Sequence, residues 1–127
     1  MKTKKISIKA LQDLIWTEVR RIINEKYPHV CYTCVSEDLV GSNKQVGHMI
    51  PKGFAKNFLK YDLRILRIQC MRCNLRLGGN GALFITKMRQ IEGDEYVDGI
   101  LHDLKKEVEP KLLYGFYEKL LEKYKTL

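Results

Sequence analysis

The chain has 127 residues, of which 45% are hydrophobic and 30% charged, and a formal net charge of +8. This length and balance predict a single soluble domain and exclude a disordered tail. No apolar run is long enough to span a bilayer, and no apolar segment follows the basic start at residues 1–5. We therefore expect a cytoplasmic protein that does not bind membranes and keeps its cysteines reduced.

The positive charge is concentrated in the middle of the chain. Residues 44–89 carry ten Lys or Arg against one Asp, a net charge of +9, whereas residues 1–43 and 90–127 carry +2 and −3. Positive charge at this density attracts polyphosphate through the release of counterions. Nucleic acid is therefore the expected partner, and a solvated basic surface is the alternative.

The N-terminal segment has the period of an amphipathic helix, predicted over residues 7–26. Apolar residues recur at every third or fourth position from Ile8 onwards, Ser7 is a suitable N-cap, and Pro28 ends the pattern. Trp16 widens the apolar side of this helix and is expected to pack in the core.

Two short strands are predicted in the basic middle of the chain. Residues 45–50 resemble a strand that ends at Pro51, and residues 52–61 form a loop with at most one helical turn. Residues 62–69 form a strand that either contains a bulge or is half buried on both faces. A helix that opens at the second cysteine pair is predicted to run toward Leu77.

The rest of the chain is predicted to be helical. Asn80 caps a first helix that stops near Gly93, Asp94 caps a second, and Pro110 begins a third. The third helix is expected to bury Leu112, Leu113, Phe116, Tyr117, Leu120 and Leu121. This apolar side offers either a surface for a homodimer or a face that packs on the N-terminal helix.

All four cysteines fall into two C-x-x-C pairs. Cys31 and Cys34 form the first pair and Cys70 and Cys73 the second, with 35 residues between the pairs. Two such pairs predict a tetrahedral site for a structural zinc ion, with no coordination position left for a substrate. The zinc would fold a hairpin that has little core of its own. A redox C-x-x-C is the alternative, but it does not explain the second pair.

His48 lies between the two cysteine pairs in the run Gly47-His-Met-Ile-Pro51, and Asn74 directly follows the last cysteine. This arrangement resembles the HNH (ββα-metal) nucleases. In their four-cysteine form a strand carries a histidine base, and a helix carries a metal ligand just after the second pair. The resemblance implies that His48 is a general base and that Asn74 binds a catalytic Mg²⁺ or Mn²⁺ ion.

The chain also resembles the phage recombination proteins of the NinG/Rap type over roughly residues 10–90. The matching pieces are Trp16, Cys31–Cys34, Gly47-His48, Gln69–Asn74 and Leu77–Asn80. Phage recombination endonuclease VII is a more distant likeness. These families imply cleavage of branched or recombining DNA in the cytoplasm of a host cell. A homodimer would supply the two active sites that symmetric cleavage of a four-way junction needs.

The resemblance also implies an architecture for the single domain. The fold class is α+β, with a small zinc-bound ββα-metal core that resembles a treble clef. The expected parts are an N-terminal helix at residues 7–26, the four-cysteine core at residues 29–80 and a helical tail at residues 81–127.

The implied reaction is hydrolysis of a phosphodiester by water. His48, as a neutral imidazole, would take the proton from the water, and the divalent ion at Asn74 would stabilise the charge on the leaving 3′ oxygen. Six basic residues of the middle third are predicted to contact the DNA backbone: Lys52, Lys56, Arg64, Arg67, Arg72 and Arg76.

Two positions depart from the family patterns. Endonuclease VII has an aspartate where this chain has Gly47, so the second ligand of the catalytic metal is unassigned, and Asp62 and Asn80 are the candidates. Ile65 stands where the HNH pattern has an asparagine that orients the histidine loop, which predicts a weaker or differently braced histidine. The second hypothesis is therefore a zinc-dependent DNA-binding protein, an accessory in recombination or packaging that does not cleave.

Overall fold

A computed structural model of the chain describes residues 5–127 and has an α+β fold; the basic start at residues 1–4 lies outside this range. Its elements are α1 (Ile8–Lys26), β1 (Gln45–His48), α2 (Lys52–Leu59), β2 (Leu66–Gln69), α3 (Gly81–Glu92), α4 (Asp94–Asp103) and α5 (Leu113–Lys125). None of the helices in the described range has the length and apolar character needed to traverse a bilayer.

Helix α1 forms where the sequence predicts it. The Ser7 hydroxyl accepts a hydrogen bond from the Ala10 amide at 3.0 Å, and Tyr27 leaves the helix in an extended conformation before Pro28. Its buried face packs mainly on α5. That face comprises Leu11, Ile15, Val19, Ile22 and Ile23, and α5 buries Tyr117, Leu121 and Tyr124. The tail therefore uses its apolar side within the chain.

The two strands form an antiparallel hairpin that is shorter than predicted. Gln45 pairs with Gln69, and His48 pairs with Leu66. All four residues of β2 are buried, so both faces are covered, and more completely than the predicted half burial. The strand starts at Leu66 because the preceding residues form a 3₁₀ turn, in which the Asp62 carboxylate accepts from the Arg64 amide.

The segment predicted as a loop with at most one helical turn is α2, which consists of two short helical pieces. Ala55 and Leu59, one on each side of the break, are its buried residues. The helix is broken at Lys56, where φ is 50° and ψ is −163°. The predicted helix after the second cysteine pair is one short π-helical turn, Arg72–Arg76.

Three details of the tail correct the sequence prediction. Asn80 and Asp94 do not cap helices with their side chains; Asp94 is the first residue of α4, and its carboxylate pairs with Arg89 at 3.0 Å. Pro110 opens a 3₁₀ turn just before α5 rather than α5 itself. Leu112 is exposed because it belongs to that turn.

Candidate functional site

The two C-x-x-C pairs come together in the structure. The sulfur atoms of Cys31, Cys34, Cys70 and Cys73 all lie within 4.8 Å of one another, and those of Cys34 and Cys70 are 3.7 Å apart. A tetrahedral ion with metal–sulfur bonds of about 2.3 Å separates its sulfurs by about 3.8 Å. This cysteine cluster can therefore hold a structural metal ion such as zinc.

Hydrogen bonds point toward the sulfur atoms of both pairs. The Cys34 amide donates to Cys31 Sγ at 3.5 Å, and the Cys73 amide donates to Cys70 Sγ at 3.4 Å. Burial raises the pKa of Cys31, but hydrogen bonds from Thr33 and from backbone amides outweigh it and bring the pKa to about 6. Burial raises the pKa of Cys70 to about 12. Cys31 therefore forms its thiolate more readily than Cys70.

Gln69 ties the cysteine cluster to the hairpin. Its side chain is fully buried, and Nε2 donates to Thr33 Oγ1 at 3.0 Å and to the Gly79 carbonyl at 2.8 Å. These two residues belong to the first pair's turn and to the segment after the second pair. A Cβ at Gly47 would overlap with Gln69 Oε1. The glycine at position 47 is therefore required by packing, and a carboxylate there would displace Gln69.

His48 and Asn74 line one cleft of about 550 Å³ between α1, β1, the start of α2 and the π-helical turn. Three basic residues, Arg20, Lys44 and Lys52, also line it. Within the described part of the chain, its lining contains no carboxylate. The hairpin and the π-helical turn thus bring together the two residues that the sequence singled out, in a basic environment.

The His48 imidazole is held from two sides. Its ring stacks on the Trp16 ring, with centroids 5.7 Å apart and planes 7° apart, and its Nε2 lies 2.9 Å from the Lys60 carbonyl. Because a carbonyl only accepts, Nε2 carries the hydrogen and Nδ1 carries the lone pair. Burial and the charges of Lys52 and Lys60 lower the pKa of His48 to about 4. The imidazole is therefore neutral at pH 7.

This bracing differs from the one that an asparagine at position 65 would provide. Ile65 is fully buried, and its carbonyl accepts a hydrogen bond from the Met49 amide at 2.8 Å. The Lys60 carbonyl at the end of α2 and the Trp16 ring on α1 hold the imidazole.

Asn74 is positioned by the second cysteine pair. Its backbone amide donates to the Cys70 carbonyl at 3.0 Å, and its side-chain Nδ2 donates to Gln45 Oε1 at 2.8 Å. The second bond uses the amide nitrogen and leaves Oδ1 as the atom that can bind a cation. The cleft thus offers one neutral oxygen ligand from Asn74.

The two candidates for a second metal ligand lie elsewhere. The Asp62 carboxylate binds the Arg64 guanidinium at 2.8 Å and lines a different cavity. The Asn80 amide points at Cys73 Sγ, 3.8 Å away, beside the cysteine cluster. Neither residue lines the cleft, which corrects both assignments. Asp62 caps a turn, and Asn80 donates to a sulfur.

Two of the six predicted DNA contacts are also corrected by the structure. Arg67 is only 2% exposed, and its guanidinium lies 4.7 Å from the Tyr27 ring centroid. Its side chain therefore packs inside the protein and does not face a ligand at the surface. Arg64 is paired with Asp62 and Asp103, both within 3 Å, so its charge is already balanced.

The other four predicted contacts remain exposed. Lys52 lines the cleft, and Lys56 lies 3.8 Å from the Glu107 carboxylate. Arg72 and Arg76 lie on the exposed side of the π-helical turn that carries Asn74. These four residues keep their predicted role as candidates for contact with DNA.

Sequence reasoning missed the contribution of α1 to the cleft. Trp16, Arg20 and Asn24 line it, and their spacing of four places them on one stripe of the helix. The spacing is a readable signal, but the sequence prediction placed Trp16 in the core with the apolar side of α1, whereas the ring lines the cleft. Lys44, just before β1, was also missed.

No protein-family model, curated protein or solved structure matches this chain. Its function has to be inferred from the side chains of the cleft and of the cysteine cluster. Their contacts, burial and charge supply the observations for that inference.

Proposed function

We propose that this protein is a metal-dependent DNA endonuclease of the HNH type that acts on branched or recombination intermediates of a phage. The observation that carries the proposal is the state of His48. It is a neutral imidazole with its lone pair on Nδ1, and it lines the same basic cleft as Asn74. A general base needs a free lone pair at working pH next to a site that can bind the substrate.

The side chains of the cleft have different roles in the proposed hydrolysis of a phosphodiester. His48 Nδ1 takes a proton from the attacking water, while the Nε2–H bond to the Lys60 carbonyl keeps the ring in place. Arg20, Lys44 and Lys52 bind the phosphates around the scissile bond. The charge of Lys52 also opposes protonation of His48 and so lowers its pKa, which keeps the base in its neutral form.

A divalent ion, Mg²⁺ or Mn²⁺, would be held by Asn74 Oδ1. When bound, it supplies charge stabilisation at the leaving 3′ oxygen. One amide oxygen without a carboxylate is a weak magnesium site, because this ion is usually bound by carboxylates and phosphates together. We therefore expect the ion to bind well only with DNA present, when phosphate oxygens complete its ligands.

We assign the cysteine cluster to zinc with a structural role. Four thiolates fill a tetrahedral coordination sphere and leave no position for water or substrate. The cluster joins the turn after α1 to the π-helical turn that carries Asn74. Zinc would thus hold the walls of the cleft at their spacing without taking part in hydrolysis.

A second candidate is a zinc-dependent DNA-binding protein, an accessory in recombination or packaging that does not cleave. The observation that favours it is the lack of a carboxylate in the described lining of the cleft. At Gly47, where a neighbouring ligand would stand, Gln69 fills the space. A cleft with these properties can bind phosphate through its basic residues even without catalysis.

Cleavage assays on defined DNA structures separate the two candidates. Zinc-loaded protein is incubated with a four-way junction, a fork and a linear duplex, with Mg²⁺, with Mn²⁺ or without either ion. We expect nicking that needs the ion, prefers the branched substrates and disappears in His48→Ala while DNA binding persists. His102→Ala is the matched control, because His102 is exposed on α4. Binding without nicking under both ions would establish the second candidate instead.

A further inference from the structure

Two neighbouring cavities meet at Trp16. The first is the cleft described above, and the second, here called the trough, has a volume of about 440 Å³. Trp16 and Lys52 line both cavities, so they share a boundary. Lys52 Nζ lies 5.4 Å from the centroid of the Trp16 ring, and His48 stacks on the same ring. The proposed base therefore stands where the two cavities join.

One stripe of α1 forms a wall of both cavities. Lys9, Gln12, Asp13 and Trp16 line the trough, and Trp16 continues with Arg20 and Asn24 into the cleft. These positions are three or four residues apart and so lie along one side of the helix. From residue 9 to residue 24 the helix rises about 22 Å. The surface is thus elongated along α1.

Both cavities are basic. Lys9 and Lys60 lie in the trough, Arg20 and Lys44 in the cleft, and Lys52 between them. Among the described lining residues, Asp13 is the one carboxylate, and it lies 3.3 Å from Lys9. Both side chains of this single pair are highly exposed, so the pair is weak and leaves the Lys9 ammonium available to a phosphate. Positive charge continues past Trp16 in both directions, as binding of an extended polyanion requires.

We infer that one strand of a nucleic acid lies along α1 and crosses Trp16, with bound nucleotides on both sides of His48. The inference rests on the proposed function and extends it by assigning Lys9, Trp16 and Arg20 to the substrate path. About 22 Å corresponds to roughly six nucleotides at 3.4 Å each. A mononucleotide would fill the cleft alone and would leave the trough unused. A strand held on both sides of the reacting phosphate is cut internally.

The test compares short and long oligonucleotides on charge-reversal variants. Binding of fluorescein-labelled oligothymidines of three and ten nucleotides is measured by anisotropy, at low salt and without divalent ion. Arg20→Glu changes the cleft, Lys9→Glu changes the trough, and Lys119→Glu is the control, because Lys119 is exposed on α5. All three variants change the net charge equally, and all three side chains are exposed, so the fold is expected to persist.

We expect Arg20→Glu to weaken both oligonucleotides by about tenfold, and Lys9→Glu to weaken only the longer one by a similar factor. Equal effects of Lys9→Glu and Lys119→Glu on the longer oligonucleotide would overturn the inference. Different results would refute the proposed strand path and the proposed nuclease activity. The expected length dependence without any cleavage would refute the nuclease alone, and absence of binding to the unmodified protein would refute both.

Discussion

The cysteine cluster and the His48 cleft lie side by side but are built in opposite ways. The cluster uses four identical side chains from two C-x-x-C turns, whose sulfur atoms lie within 4.8 Å of one another. The cleft uses residues of different kinds from α1, β1, α2 and the π-helical turn. With a tetrahedral ion bound, the cluster would be closed to further ligands, whereas the cleft is open and basic.

The cysteine cluster is therefore assigned a structural role, and the His48 cleft is the part proposed to catalyse hydrolysis. The cluster acts on the cleft through the backbone, because the Asn74 amide binds the Cys70 carbonyl and Gln69 joins both pairs to the hairpin. Substitutions in the cysteine cluster should therefore also displace the residues that line the cleft. Substitutions in the cleft should leave the cluster intact.

Loss of the metal is expected to have the largest effect. Cys70→Ser should bind no zinc and lose cooperative thermal unfolding, because binding of a structural zinc supplies on the order of 10 kcal/mol to folding. Metal analysis and a thermal melt followed by circular dichroism measure both. Ser36→Ala is the control: its hydroxyl lies 3.0 Å from Cys34 Sγ, and its loss should cost about 1 kcal/mol and keep one zinc per chain. A zinc-free protein with an unchanged melt would contradict the prediction.

The buried imidazole should make stability depend on pH. Since the pKa of His48 is about 4 when folded and its ordinary value is 6.5, the unfolded chain binds more protons between these values. The contribution is complete above pH 6.5 and is lost as pH falls to 4, which amounts to about 3 kcal/mol. Urea unfolding at pH 7 and pH 4 measures the free energy of unfolding at each pH. The decrease from pH 7 to pH 4 should be larger by this amount in the unmodified protein than in His48→Gln. Equal losses in the two proteins would contradict it.

The packing between Gly47 and Gln69 predicts a coupled pair of substitutions. Gly47→Ala should lower the free energy of unfolding by about 2 kcal/mol, because its Cβ overlaps with Gln69 Oε1. In a Gln69→Ala background the same change should cost much less, since the overlapping side chain is gone. Urea unfolding of the two single variants and the double variant measures the coupling. Additive effects would show that Gln69 does not occupy the space beside Gly47.

Charge-neutralising variants should have the smallest effects and distinguish the cleft from the ion-paired surface. Lys52→Gln should weaken DNA binding by about threefold, because Lys52 lines the cleft. Arg64→Gln should leave DNA affinity unchanged, since Asp62 and Asp103 already pair with this guanidinium. Fluorescence anisotropy with one duplex at fixed salt compares them. A greater loss in Arg64→Gln would contradict the assignment of these surfaces.

Local features of the fold could be predicted from the sequence. The spacing of the cysteines predicted that all four meet, and the apolar period with Ser7 predicted α1. The first prediction depends on a ligand set that occurs twice in the chain. The second depends on contacts between residues a few positions apart. Helix α2 was predicted only as a loop with at most one helical turn, because a short segment with a break at Lys56 has no sustained apolar period.

The details of the cleft could not be predicted because they arise from contacts across the fold. The stack of Trp16 on His48 joins residues 32 positions apart. The hydrogen bond from His48 to the Lys60 carbonyl uses a backbone group, which every residue has, so the sequence does not indicate it. The burial of Arg67 was likewise hidden, because an arginine in a basic segment usually faces solvent.

The nicking of supercoiled circular DNA tests the central claim most directly, because a closed circle can be cut only at internal bonds. The rate is measured with Mg²⁺ for the unmodified protein, His48→Ala and His102→Ala, all with one zinc per chain. We expect His48→Ala to be slower by at least about a hundredfold and His102→Ala to match the unmodified protein. Equal nicking by the unmodified protein and His48→Ala, or none by the unmodified protein, would contradict the assignment of His48 as the general base.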